Sequence, residues 1–203
     1  MSQIITQRPS IGFDNQEDAI VSTALISFSV KLEKDGQGSG DLQFKNWGMN
    51  NNVPGYSFFD DPRLAIGKSL QIKVTRQTLV DGRISAINAS FSSNAPPALG
   101  LSIIIDWVPV SPGPVRLSYP LELLEFNVKE IRVSRKPTSL SGGRRCLIGT
   151  GIASFMGQLV PGLTVDLEGL GSRYSSAYTL TEVIHNFSLD RGLQTEFTAQ
   201  LIG

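Results

Sequence analysis

The chain has 203 residues, in which 18 Lys plus Arg balance 18 Asp plus Glu, and its charged share of 18% lies below the ~25% of an ordinary globular protein. That length suffices for one large domain or two small ones, and the neutral balance argues against a general nucleic-acid or membrane-surface binder, whose affinity rests on clustered positive charge. With one cysteine, Cys146, and one histidine, His185, neither an intrachain disulfide nor an ordinary zinc constellation can be assembled.

Met1–Thr6 shows no basic segment followed by an apolar stretch, so no signal peptide is expected and the chain is expected to stay in the cytoplasm until it is assembled. The most apolar windows, Ala19–Val30 and Ala98–Val110, are interrupted by Ser, Thr, Asp or Pro and are too short for the ~20 residues of a membrane-spanning helix.

Period two dominates the rest. Ala24–Leu32 sets Ala24, Ile26, Phe28, Val30 and Leu32 against Leu25, Ser27, Ser29 and Lys31, the pattern of a strand buried on one side. The Gly-rich run Asp35–Asp41 then reads as a long hairpin tip, expected to be mobile until it meets a neighbouring subunit. Leu42–Trp47 continues with Leu42, Phe44 and Asn46 on one face. Asn50–Tyr56 reads as a loop, and Leu70–Thr75 as a strand with Ile72 and Val74 in phase. Asp81-Gly82 is either a hairpin turn or a bulge within one longer strand. Leu99–Val108 places Leu101, Ile103, Ile105 and Trp107 in register. Pro109, Pro112, Pro114 and Pro120 mark the run 109–120 as a linker, because proline lacks the donor a ladder needs. Leu121–Val133 reads as a strand, although its front half also suits a helix. Cys146–Thr150, Leu163–Leu167, Ser176–Asn186 and Leu193–Leu201 follow as strands between turn signals at Pro161-Gly162, Gly169–Gly171 and Asp190-Arg191-Gly192. Turns spaced by ~8–12 residues belong to all-β sandwiches and barrels. The expectation is an all-β chain with little helix: two small barrels in tandem, residues 1–108 and 121–203, joined by the Pro-rich linker 109–120.

Chemistry-bearing patterns are sparse. Gly36, Gly38 and Gly40 lack the Lys-Ser/Thr and the helix that a phosphate cradle requires, which leaves a hairpin reading. Asp60-Asp61-Pro62 pairs two carboxylates, but calcium takes six to eight oxygens and Asp before Pro is first a turn signal. His185 shares a strand face with Val183 and Phe187, and neither a nucleophile elbow nor a flanking signature at Cys146 gives it a partner, so it reads as a packed structural histidine. Asn88-Ala89-Ser90 and Asn186-Phe187-Ser188 match the glycosylation pattern only formally. No catalytic, cofactor-binding or metal-binding residue is expected. Charge is uneven in one respect: Lys129–Arg145 is basic, with Lys129, Arg132, Arg135, Lys136, Arg144 and Arg145 against Glu130. The chain from Val160 onward is acidic, with Asp166, Glu168, Glu182, Asp190 and Glu196 against Arg173 and Arg191. A solvated surface explains this, and so does docking between subunits.

Val160–Gly171, Tyr178–Phe187 and Gly192–Phe197 resemble the C-terminal barrel of the phage late-control gene D family, the baseplate hub proteins of contractile tails, related to the hub part of VgrG spikes and of contractile injection particles. Gly67, Leu70 and Ile72, then Asp81–Ile87, Phe91, Pro97 and Ile103–Asp106, are similar to its first half, so the resemblance covers most of the chain. It implies two tube-like barrels per chain, a homotrimeric ring with pseudo-sixfold symmetry and a central channel, with an inner tube protein on one face and a spike on the other. It also implies other baseplate components as partners, no cofactor, and assembly into a phage tail or injection particle. The departure is size: only the short Pro-rich run separates Asp106 from Leu121, where family hubs carry a further domain. Three classes follow, led by the structural hub. A carbohydrate- or receptor-binding module would expose Trp47, Tyr56 and Tyr174 around a shallow groove. A cell-wall hydrolase would have to use Asp60 and Asp61, whose adjacency on the chain opposes the carboxylate spacing that such chemistry needs.

Overall fold

The computed structural model describes residues 8–50, 53–75, 77–107, 115–117, 127–133, 145–172 and 174–202. It is all-β, as the alternation requires, and the chain divides into two compact units. The first comprises residues 1–31, 37–107 and 185–193, and the second residues 32–36, 108–184 and 194–203.

The first unit opens with a hairpin of β1 (Ser10–Phe13) and β2 (Gln16–Asp18). Asp14 and Asn15, with φ of 50° and 66°, form its two-residue turn, the left-handed pair that suits the twist of a tight hairpin. A helix that the period-two reading did not anticipate follows: α1 (Ala19–Ala24), started by Asp18, whose carboxylate accepts from Ile20 N and Val21 N, both at 2.9 Å. Arg8 finishes it, donating to the carbonyls of Ser22, Thr23 and Leu25 at 3.2, 2.5 and 2.6 Å, groups left without intrahelical partners at a C-terminus. The strand expected from Ala24 therefore begins one residue later, as β3 (Leu25–Glu33), with Leu25, Phe28 and Val30 buried.

The Gly-rich run departs most from expectation. Only Lys34–Gly36 turns the chain, with Gly36 at φ 86°. Gln37–Asp41 already belongs to β4 (Gln37–Lys45), paired residue by residue with β9 (Ala95–Asp106). The reason lies across the sheet: a Cβ on Gly40 would sit 2.9 Å from Ile103 Cγ1 and 3.2 Å from Val30 Cγ2, so the glycine admits buried neighbours rather than flexing. Asn50–Tyr56, expected as a loop, contributes to a separate two-stranded sheet of β5 (Trp47–Asn50) and β6 (Val53–Tyr56). Then come the short 3₁₀ helix Pro62–Leu64, β7 (Ser69–Val74) and β8 (Gln77–Ser92). Asp81-Gly82 lies inside the unbroken β8, the second of its two sequence readings, although the irregularity against β7 falls at Leu79, between the pairs Ile72↔Val80 and Lys73↔Thr78. The strand order is β3-β4-β9-β8-β7-β1-β2. Phe44, Leu70, Ile72, Ile84, Leu99, Leu101 and Ile103 fill its core. Beyond Ile84, β8 is exposed along its remaining length to Ser92.

In the second unit, β10 (Val115–Leu117) falls within the expected linker and runs parallel to β13 (Thr164–Leu167). β11 (Asn127–Val133) and β12 (Arg145–Ser154) precede it, and β14 (Ser176–Ser188) and β15 (Gly192–Ile202) follow. The order is β11-β12-β15-β14-β13-β10. The front half of Leu121–Val133 lies outside the described residues. Leu159, Leu163, Val165, Leu167, Tyr178, Leu180, Val183, Phe197 and Ala199 form the core. Gly162, at φ 88°, makes the turn signalled by Pro161-Gly162 and donates to Leu180 O at 2.7 Å.

Candidate functional site

The residue that builds the site is Asn46. It continues the inward face of β4 after Leu42 and Phe44 and is fully buried. Its Oδ1 accepts from Ser57 N at 3.1 Å and Phe58 N at 2.7 Å. One carboxamide thus ties the start of the β5–β6 hairpin to the chain leaving it. Trp47 and Tyr56 are directly opposed across that hairpin, their rings edge-on with centroids 5.3 Å apart. Phe58 turns inward as an anchor, 4% exposed, while Phe59 packs on Tyr56 at 4.8 Å. Phe91 arrives from β8, at an irregularity between Ser90 and Ser92, and meets Tyr56 at 6.0 Å and Phe59 at 5.6 Å. An extra residue at such a bulge re-aims its side chain. The cluster of four rings stays open to solvent, with Trp47 41%, Tyr56 48% and Phe91 64% exposed.

The other end of the segment carrying Phe59 is fixed by charge. Asp61 caps the 3₁₀ helix by accepting from Arg63 N at 2.9 Å, and its two oxygens receive Arg63 Nε and Nη2 at 2.9 and 2.6 Å. Arg63 also pairs with Asp18 and lies over the Phe13 ring, 5.4 Å from its centroid. The Arg63 hydrogen bond holds the Asp61 carboxyl below its ordinary range, against a smaller opposing effect of burial. Burial pushes Asp18 up, but the Val21 N–H, Arg63 and the Ile20 N–H together outweigh it and leave Asp18 lowered as well. Arg63 is correspondingly held in its charged form. These carboxylates serve capping and ion pairing, in keeping with the turn reading of Asp60-Asp61-Pro62.

The structure brings Trp47 and Tyr56 together, as the binding-module reading required, and adds Phe59 and Phe91, which that reading missed. Alternation on the chain does not reveal a ring arriving from a strand more than thirty residues away. Tyr174 lies in the second unit, where its carbonyl accepts from the buried Tyr178 hydroxyl at 2.7 Å. His185 is fully buried on a face with Val183 and Phe187, as its alternation indicated. Asn88 and Asn186 lie on β8 and β14. Cys146 pairs through its backbone with Arg132 and Ile202. Of the basic stretch, residues 134–144 and the side chains of its flanking strands lie outside the described residues. Among the described residues, no three His, Cys, Asp or Glu side chains are grouped to hold a metal ion, and no helix is long and apolar enough to cross a membrane.

No family model matches the chain, and no curated protein does. Solved structures share its fold. It is similar to a tail protein from Neisseria meningitidis MC58 with a TM-score of 0.60 at 10% identity, over 96% of each chain. The Escherichia coli c3393 protein, a component of the type VI secretion system described as similar to T4 bacteriophage tail proteins gp27 and gp5, gives 0.56 at 12% identity, over 86% of this chain and 73% of that one. A 43 kDa tail protein of prophage MuSo2 from Shewanella oneidensis gives 0.50 at 7% identity, over 95% and 96%.

Proposed function

We propose that the chain is a structural, non-enzymatic hub of a contractile tail or injection-system baseplate, adapting an inner tube to a spike. The observation that carries this reading is the shared fold along nearly the whole chain with proteins named as tail components. The late-control gene D resemblance of Val160–Gly171 and Tyr178–Phe187 supports it from the sequence. In this reading residues 1–108 and 121–203 are the two barrels, and three copies form a ring. Two similar barrels per subunit present six similar edges to a sixfold tube, while the true threefold axis suits a trimeric spike. Electron microscopy of the purified chain, alone and with its tube and spike proteins, tests this. Rings with a central hole are the expected result, and a chain that stays monomeric with both partners present overturns it.

The exposed rings of Trp47 and Tyr56 favour a second reading, a carbohydrate- or receptor-binding module at the particle tip, since aromatic faces stack on sugars. Saturable quenching of tryptophan fluorescence by cell-surface glycans, together with absence of rings, would decide for it.

A further inference from the structure

We infer that the aromatic cluster is a self-association surface, seated in the assembled protein against a second copy of this chain. Polarity is the first argument. The two segments that carry the cluster hold no charged residue between Lys45 and Asp60 or between Arg83 and Asp106, in a chain that is 18% charged. Such a surface offers nothing to a nucleic acid, an anionic lipid or a charged peptide, all of which bind through fixed charge. A neutral surface meets no like-charge repulsion from a second copy, the usual obstacle to self-contact.

Size is the second argument. At ~150–250 Å² per aromatic side chain, the exposed shares of Trp47, Tyr56 and Phe91 present roughly 300 Å² of ring surface. A stable interface takes ~800 Å² from each partner, with a desolvated aromatic centre inside a polar rim. The cluster is the right size for that centre, and the exposed Ser90, Ser92, Ser93 and Asn94 border it on the chain as uncharged rim. The third argument is local: among the described residues β5 and β6 form a two-stranded sheet paired with no other strand, an arrangement that is marginal in water without a covering layer. A sugar platform fits less well, because the rings meet one another at 76° and 88° for the Trp47–Tyr56 and Tyr56–Phe91 pairs instead of lying as one flat surface.

Sedimentation velocity over a concentration series, with Trp47 emission recorded in a Trp107→Phe background, tests the inference. The chain should associate, and the Trp47 emission should shift to the blue as it does. Association should be insensitive to salt between ~0.05 and ~0.5 M, and Phe91→Asp or Tyr56→Asp should weaken it at least about tenfold. The two positions are 64% and 48% exposed, and circular dichroism checks that each variant is folded. A monomer at every concentration overturns the inference, as does association that leaves Trp47 emission unchanged or ignores both substitutions. A blue shift of the monomer on adding oligosaccharide also overturns it. Rings that form with Trp47 still exposed would sink this inference and keep the hub, whereas Trp47 buried in dimers that never close into rings would do the reverse.

Discussion

Replacing Asn46 by alanine tests how the candidate site is held. Its carboxamide oxygen takes the backbone N–H groups of Ser57 and Phe58 at 3.1 and 2.7 Å, and the Phe58 bond is buried. Each such bond is worth about 1 kcal/mol net, and a buried N–H left without an acceptor costs ~1–3 kcal/mol. Ser57 N is only partly buried, so water relieves much of its loss, and Asn46→Ala should destabilise the first unit by ~2–4 kcal/mol. That is a large share of the ~5–15 kcal/mol that holds a typical domain. Trp47 and Trp107 both lie in the first unit, so urea unfolding followed by tryptophan fluorescence reports on it directly. Gln43→Ala is the control: Gln43 sits on the same strand facing solvent, where substitutions stay within ~0.5 kcal/mol. An Asn46→Ala variant as stable as that control would refute the reasoning, and with it the idea that this amide holds the aromatic cluster in place.

Gly40→Ala should cost ~1–3 kcal/mol by overpacking against Ile103 and Val30, whereas Gly100→Ala should cost ~0.5 kcal/mol or less, because the three atoms nearest its new methyl all belong to the side chain of Asn88, an exposed residue that has room to swing outward; denaturant midpoints of the two variants compare them. The folded-state pKa values of Asp18 and Asp61 lie below their unfolded values, so their contribution is present above about pH 4 and is lost as pH falls through the lowered values. Arg63→Gln should therefore flatten the acid limb of a stability–pH profile, and an unchanged limb would contradict the ion-pair assignment. His185→Gln should lower stability by ~1–3 kcal/mol, as expected for a disturbed buried polar group, read by thermal unfolding. A hydrolytic activity abolished by that change would overturn its structural role.

Period two and turn chemistry determined much of this protein by themselves. Alternation placed β3, the second half of β4, β7, β9 and β12–β15 on the chain and assigned Phe44, Leu101, Ile103, Val183 and His185 to buried faces, because a pleated strand sends successive side chains to opposite sides. Pro161-Gly162 marked its turn because glycine accepts a positive φ at no steric cost. Asp14-Asn15 at the β1–β2 hairpin and Asp18 ahead of α1 are local signals of the same kind that alternation alone passed over. What neighbours across the sheet decide was not legible in the same way. Gly38 and Gly40 look like a flexible tip on the chain, and only the side chains of Ile103 and Val30 make Gly40 a close-packed strand position. Asp81-Gly82 admits both a turn and a strand until its partners on β7 are known. The aromatic cluster is the clearest case: Trp47 and Tyr56 are drawn together by hairpin pairing, Phe59 by the Asn46 clamp, and Phe91 by a bulge on a strand remote in sequence. Each ring alone reads as an ordinary exposed side chain, and only tertiary structure turns four of them into a surface.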